Sequence, residues 1–132
     1  LIFFIFFFLY QFYSQILYSL PMNNSESVFI TEELRLKVPA NAKAAWLNAE
    51  RKIWEPWLST KDGFLGRQLF WNKEKEQALI LVNWKSKKLW KSIPMSEVNI
   101  IQEKFENDVK TALNLKTNPF ELIYEGELDK QK

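Results

Sequence analysis

Asn83 and Trp84 are neighbouring residues whose side chains could take part directly in chemistry. They stand at the end of the apolar segment ALILVNW, residues 78–84. A side-chain amide and an indole N–H that converge on one point would stabilise an oxyanion by hydrogen bonding. We therefore treat both as candidate catalytic residues. The structural alternative is that Asn83 only satisfies a backbone group or ends a strand.

Aromatic residues form a second candidate site. All six tryptophans fall between Trp46 and Trp90. A cluster of such rings would bind a planar ligand, for example a quinone, polyphenol, pigment fragment or aromatic polyketide. The alternative is that these rings only pack in the hydrophobic core. Tyr124 is a further candidate, because it would donate a hydrogen bond to the ligand if it faced the same cavity, and core packing is the alternative for it as well. The residues that we expect to meet at one end of the sheet, and to bind the ligand, are Trp57, Phe64, Trp84 and Trp90.

The composition excludes several kinds of site. Cysteine and histidine are both absent, which excludes disulfides, thiolate nucleophiles, imidazole bases, Cys/His zinc sites and the usual haem ligands. We accordingly predict no metal and no cofactor. The net charge is only +2, and nothing in this balance indicates nucleic acid, which favours a concentrated basic face. Four lysines are close together in the sequence and are expected to form a solvated helix face, or to contact anionic lipid head groups if the chain is anchored. They are Lys85, Lys87, Lys88 and Lys91.

Four strands are predicted from the apolar pattern. Residues 28–38, in their second half, and residues 120–128 alternate apolar and polar side chains, and residues 64–71 form a further predicted strand. Residues 78–84 are apolar on both faces over their first five residues, as in a central strand. The polar residues 72–77 are typical of a hairpin connection.

Helical spacing predicts the remaining elements. One helix covers residues 42–58, with Asn41 as its N-cap and a kink at Pro56. Ser86 caps a short helix that Pro94 interrupts, and a longer helix follows at residues 96–113. The order β, α, β, β, α, β predicts an α+β, ferredoxin-like fold in which a four-stranded antiparallel sheet carries two helices on one face. We place this domain at residues 28–128 and a disordered tail at residues 129–132.

Residues 1–20 are hydrophobic and uncharged. As a helix they would span about 30 Å, the thickness of a bilayer core, so a single-span membrane anchor is one interpretation. A signal peptide is another. The third is non-native upstream sequence, because the chain begins with Leu1 and its first methionine is Met22. Residues 21–27 are typical of a linker.

Four motifs carry a family resemblance: LRLKVP at residues 34–39, ERKIWEPWL at 50–58, GFLGRQLFWN at 63–72 and ILVNWKSKKLWKSIP at 80–94. In this order they resemble an uncharacterised, mostly cyanobacterial and plastid family within the antibiotic-biosynthesis-monooxygenase-like, dimeric α/β-barrel superfamily. The resemblance implies a plastid or cyanobacterial cell, a homodimer whose sheets pack face to face, and a cavity between sheet and helices in each protomer.

The resemblance leaves the activity open. In cofactor-independent oxygenases of the superfamily, residues such as Asn83 and Trp84 would hold a peroxy group formed directly from oxygen. Its haem-degrading members rely on a histidine ligand, and the absence of histidine disfavours that activity here. A polar dimer contact is expected from the sequence, because neighbouring first and last strands would place Arg35 and Lys37 on a face with Glu121, Glu125 and Glu127.

Two functions are therefore open. The first is a membrane-anchored or membrane-associated, monooxygenase-like domain that binds a small aromatic or quinone-like molecule. The second is a non-catalytic dimerisation or assembly module tethered to a membrane. A filled core beneath Trp57, Trp84 and Trp90 would favour the second, and an enclosed cavity with Asn83 pointing into it would favour the first.

Overall fold

The computed structural model describes residues 29–131. Its four strands are β1 (Ile30–Lys37), β2 (Phe64–Asn72), β3 (Gln77–Trp84) and β4 (Glu121–Asp129). They form one antiparallel sheet in the order β2-β3-β1-β4. The predicted α+β, ferredoxin-like fold is confirmed, including the central position of β3.

The predicted membrane segment, residues 1–20, and the linker lie outside the described residues. Within residues 29–131, no helix combines the length and the apolar character needed to span a bilayer.

The helical elements all pack on one face of the sheet, which we call the inner face. They are α1 (Lys43–Ala49), a π turn (Glu50–Trp54), α2 (Glu55–Leu58), α3 (Lys87–Lys91) and α4 (Met95–Leu113). The main core lies between these helices and the inward side chains of the strands. In β3 every second residue is buried, and the inward series is Ala78, Ile80, Val82 and Trp84.

The predicted helix at residues 42–58 is interrupted by the π turn. Pro56 has no N–H, and in a regular helix its ring would crowd the carbonyl of Lys52. The wider turn relieves this crowding, and the Glu55 N–H bonds to the Glu50 carbonyl oxygen. The predicted N-cap is corrected as well. Asn41 lies inside a 3₁₀ turn (Ala40–Ala42) that has no side-chain cap.

The second helical region follows the prediction closely. The Ser86 hydroxyl caps α3 by accepting a hydrogen bond from the Leu89 N–H at 3.2 Å. Pro94 then separates α3 from α4. This connection fixes where α3 ends, and hence where Lys91 lies relative to the sheet.

A β-bulge in β4 changes which side chains face the helices. Arg35 pairs with Tyr124 and Leu36 pairs with Leu122, so Ile123 has no partner in β1. One extra residue moves every later side chain to the opposite face. The alternation predicted for residues 120–128 is therefore wrong beyond the bulge.

The bulge places Glu125 and Glu127 on the inner face, opposite Leu34 and Glu32 of β1. The shared charged face predicted for β1 and β4 is thus limited to Arg35 and Lys37 with Glu121. Tyr124 and Leu128 instead lie on the other side of the sheet, which we call the outer face, and they are 48% and 45% exposed.

Candidate functional site

A cavity of about 110 Å³ lies between the inner face of the sheet and the helices. Its volume is of the order of the roughly 150 Å³ cavity that binds benzene in another protein. The cavity is therefore of the size class that accommodates about one aromatic ring. The apolar walls come from the π turn, α2, α3 and α4, from strands β1 and β3, and from the segments before α4 and β4. Their residues include Leu34, Leu36, Leu58, Ile80, Val82, Ile93, Val98, Phe105 and Phe120.

Three tryptophans line the cavity: Trp54, Trp57 and Trp90. The rings of Trp54 and Trp57 meet edge to face, with their centroids 5.7 Å apart. Trp57 and Trp90 are thus located where the sequence placed them. Trp54 was not selected as a ligand-binding residue, although its spacing of three residues from Trp57 places the two rings side by side on a helix.

Phe64 and Trp84 lie behind Trp90, on the side away from the cavity. Trp84 stacks on Trp90 with centroids 6.5 Å apart and planes 11° apart, and Phe64 packs edge-on against Trp84 at 5.8 Å. Trp84 is only 1% exposed and is absent from the cavity wall. These two residues support the wall, and their predicted direct contact with a ligand is corrected.

Asn83 and Trp84 do not converge. Successive side chains of a strand point to opposite faces, so Trp84 lies on the inner face and Asn83 on the outer face. The Asn83 Oδ1 accepts a hydrogen bond of 2.8 Å from the Thr31 hydroxyl of β1. The oxyanion site predicted from this pair is therefore not formed within one protomer.

Tyr124 is also excluded from the cavity. The bulge turns it to the outer face, where its ring lies across Gly126. A Cβ built on Gly126 would be 2.3 Å from the Tyr124 hydroxyl, so a side chain at this position would displace the Tyr124 ring. The predicted placement of Tyr124 in the cavity is corrected.

Glu32 is a titratable group in the cavity that the sequence analysis did not select. It belongs to the inner face of β1 and is 7% exposed. The Trp84 indole N–H donates a long hydrogen bond of 3.4 Å to its Oε2. Burial, with a smaller effect from the charge of Glu125, raises the pKa of Glu32 to about 7. The Trp84 hydrogen bond and Lys91 oppose this rise.

Lys91 approaches the same wall from the end of α3. Its Nζ lies 3.7 Å from the centroid of the Trp90 ring. Burial lowers the pKa of Lys91 to about 8, although the charges of Glu32 and Glu125 act to raise it. The prediction that Lys91 belongs to a solvated helix face is therefore wrong.

The carboxylates of β4 complete this wall. Burial raises the pKa of Glu125, which lines the cavity, and Lys91 opposes that rise. Burial also raises the pKa of Glu127, whose Oε2 pairs with the Lys87 Nζ at 3.1 Å. Within residues 29–131, no three carboxylates are arranged to hold a metal ion.

A tightly bonded ion pair lies on another part of the cavity wall. The Arg67 Nη1 is 2.5 Å from the Glu50 Oε2, and both side chains are only 4% exposed. The Arg67 Nη2 also donates to the Glu50 carbonyl oxygen at 2.7 Å. Burial raises the pKa of Glu50, and Arg67 opposes this. These contacts join β2 to the π turn that carries Trp54, so the pair positions the aromatic wall.

Comparison with known proteins places the chain by its fold. No family model matches the sequence, and no curated protein matches it. A candidate antibiotic biosynthesis monooxygenase from Bordetella bronchiseptica is similar in structure, with a TM-score of 0.53 and 15% identity over 80% of this chain and 98% of that one.

Two further solved structures share the fold. A monooxygenase from Streptomyces coelicolor in complex with nanaomycin D has a TM-score of 0.52 and 12% identity, over 80% of this chain and 89% of that one. A conserved protein from Methanosarcina mazei has a TM-score of 0.51 and 15% identity, over 79% and 94% of the two chains. The domain therefore has the fold of antibiotic biosynthesis monooxygenase-like proteins.

Proposed function

We propose that the domain is a monooxygenase-like protein that binds a small planar aromatic molecule in the cavity. The observation that carries this proposal is the cavity itself, with Trp54, Trp57 and Trp90 in its walls. Protein interiors are normally packed without voids of this size. Aromatic rings on several sides provide edge-on and stacked contacts for a flat ligand.

The ligand of one structural neighbour supports the same chemical class. The Streptomyces coelicolor monooxygenase was solved with nanaomycin D. If the domain is an enzyme, the absence of histidine and cysteine excludes the usual haem ligands, and we propose a direct reaction of the bound ligand with oxygen. Oxygen consumption with hydroquinone-like ligands is the assay for that reaction.

Calorimetric titration of the full chain with single-ring aromatic compounds tests the binding proposal. We expect Trp57→Ala to weaken binding about tenfold, because it removes one wall of the cavity. Asn83→Ala is the matched control, since Asn83 lies on the outer face and should leave the affinity unchanged. If the wild-type chain binds none of these compounds, the aromatic-ligand proposal is wrong.

A second function, self-association through the outer face, is favoured by a separate observation. Phe70, Tyr124 and Leu128 are all nearly half exposed on that face. Leu79 and Leu81 of β3 lie between them and are only partly buried. We propose a second copy of the chain as the partner, in agreement with the family resemblance of the motifs.

A further inference from the structure

Three side chains from three elements give the cavity one polar wall. Glu32 comes from β1, Lys91 from the end of α3 and Glu125 from β4, and all three line the cavity. We call them the polar wall. The rest of the lining is mostly apolar or aromatic, so the polar wall is where a ligand in the cavity would be oriented.

The polar wall differs from the buried ion pair of Arg67 and Glu50, which also lines the cavity. Arg67 holds Glu50 with two short hydrogen bonds of 2.5 and 2.7 Å, an arrangement that serves packing. Glu32 instead receives a 3.4 Å bond from the neutral indole of Trp84. A carboxylate accepts several donors, and one distant indole satisfies a buried carboxylate poorly.

The charges of Glu125 and Lys91 act on Glu32, and two ion pairs lie in the surrounding structure. Glu127 pairs with Lys87, and Glu50 pairs with Arg67. From β3 comes only Trp84, and α4 lines the cavity with uncharged side chains such as Gln102. The charged residues on the same side of the sheet as Glu32 are Glu125 and Glu127 of β4 and Lys87 and Lys91 of α3, while Glu50 and Arg67 lie elsewhere on the cavity wall.

We propose that Glu32 and Lys91 recognise a hydroxyl group carried by the aromatic ligand. The hydroxyl donates its hydrogen to the Glu32 carboxylate, and its oxygen accepts a hydrogen bond from the Lys91 ammonium. This inference rests on the proposed function and adds a specificity determinant to it. Glu125 is a positioning residue that acts through the charge it places beside both groups.

Other polar groups fit this wall less well. An amine cation would meet Lys91, and a carboxylate ligand would meet Glu32 and Glu125. An aromatic ligand without a donor would leave the carboxylate buried and unsatisfied, which costs binding energy. A neutral hydroxyl both donates and accepts, so it can bond to the Glu32 carboxylate and to the Lys91 ammonium at the same time.

Phenol and toluene are suitable probes because they have the same shape and differ in the hydroxyl. Phenol ionises near pH 10, as tyrosine does, and stays neutral over the relevant range. We expect its affinity for the full chain to rise as Glu32 ionises around pH 7 and to fall as Lys91 loses its proton around pH 8. Toluene affinity should show no rise around pH 7, because toluene has no hydrogen to donate to the Glu32 carboxylate.

Three variants assign the two limbs of this profile. Glu32→Gln should remove the rise and weaken phenol binding about tenfold relative to toluene. Lys91→Met should remove the fall. Glu125→Gln should keep both limbs but move the rise to lower pH, because it removes a negative charge beside Glu32. Each phenol affinity is read against the toluene affinity of the same variant, which corrects for changes in cavity shape.

The outcomes separate this inference from the proposed function. If toluene binds and phenol shows a flat pH profile in the wild-type chain, the hydroxyl site is overturned and the aromatic cavity stands. If phenol and toluene both fail to bind, both proposals are wrong. A bell-shaped phenol profile that persists in Glu32→Gln would also overturn the assignment of Glu32.

Discussion

Glu32 combines a buried position with a titration near neutral pH. Its ordinary pKa of 4.5 is raised to about 7 in the folded chain, so the folded state binds the proton more tightly than the unfolded state. The stabilising contribution is fully present below pH 4.5 and is lost as the pH rises to about 7. Ionised Glu32 therefore destabilises the fold at alkaline pH.

We accordingly expect the free energy of unfolding of Glu32→Gln, relative to that of the wild type, to increase by about 3 kcal/mol between pH 4 and pH 8. The variant should be more stable than the wild type near pH 8. Urea unfolding followed by tryptophan fluorescence at both pH values measures this change. The exposed Glu103→Gln variant should alter stability little at either pH. An equal effect of Glu32→Gln at both pH values would contradict the raised pKa.

The position of Glu32 could have been predicted from the sequence, and its environment could not. Glu32 lies two residues after Ile30 and two before Leu34. Since every second side chain of a strand points to the same face, the sequence predicts that Glu32 faces the core. Its neighbours Lys91 and Glu125 are separated from it by long stretches of chain. Their approach depends on the end of α3 and on the bulge in β4.

Two irregular elements account for most of what periodicity missed. The strand order, the hairpin and the separation of α3 from α4 at Pro94 follow from alternation and turn residues. The π turn at Glu50–Trp54 and the bulge at Ile123 each add a residue to a regular repeat. A fixed period cannot reveal such additions, so Glu125 and Glu127 were predicted on the wrong face of the sheet.

The π turn depends on Arg67 for its position. Arg67→Met would leave Glu50 buried without its cation and would remove the hydrogen bond to the Glu50 carbonyl. We expect a loss of about 3–5 kcal/mol in the free energy of unfolding, measured by urea denaturation. The double variant Glu50→Gln/Arg67→Met should recover much of this loss, because no unpaired charge remains.

The ion pair of Lys52 and Asp108 provides the control for that series. Its N–O distance is 2.7 Å, but the lysine side chain is 62% exposed. Lys52→Met should therefore cost less than about 1 kcal/mol. A comparable loss in Lys52→Met and Arg67→Met would show that burial does not distinguish the two pairs.

For the whole molecule, the outer face of the sheet predicts the oligomeric state. We expect sedimentation of the full chain, in density-matched detergent, to give twice the protomer mass at micromolar concentration. Tyr124→Lys should shift the equilibrium to the monomer, because it replaces an exposed aromatic contact of the outer face with a second cation beside Arg35. The matched control is Ile100→Lys on α4, which is 54% exposed on the helical side and should remain dimeric. A monomeric wild type would overturn the proposed self-association.

The sequence predicted the fold of the domain, whereas its predictions for the N-terminal segment and the cellular origin are untested. The order of elements was sufficient for the ferredoxin-like fold, because short connections leave few topologies for βαββαβ. The membrane anchor depends on residues 1–20, outside the described residues, and stays a prediction. The cellular origin rests on the motif resemblance alone and stays a prediction too.

The bulge at Ile123 also links two surfaces that share no side chain. With it, β4 offers carboxylates to the cavity and Tyr124 and Leu128 to a partner. Without it, the same residues would give an aromatic cavity wall and an acidic outer surface. A partner that covers Tyr124 and Leu128 therefore favours the register in which Glu125 faces the ligand. Dimer assembly and ligand selectivity are in this way set by the same single-residue irregularity, and a change in one is expected to alter the other.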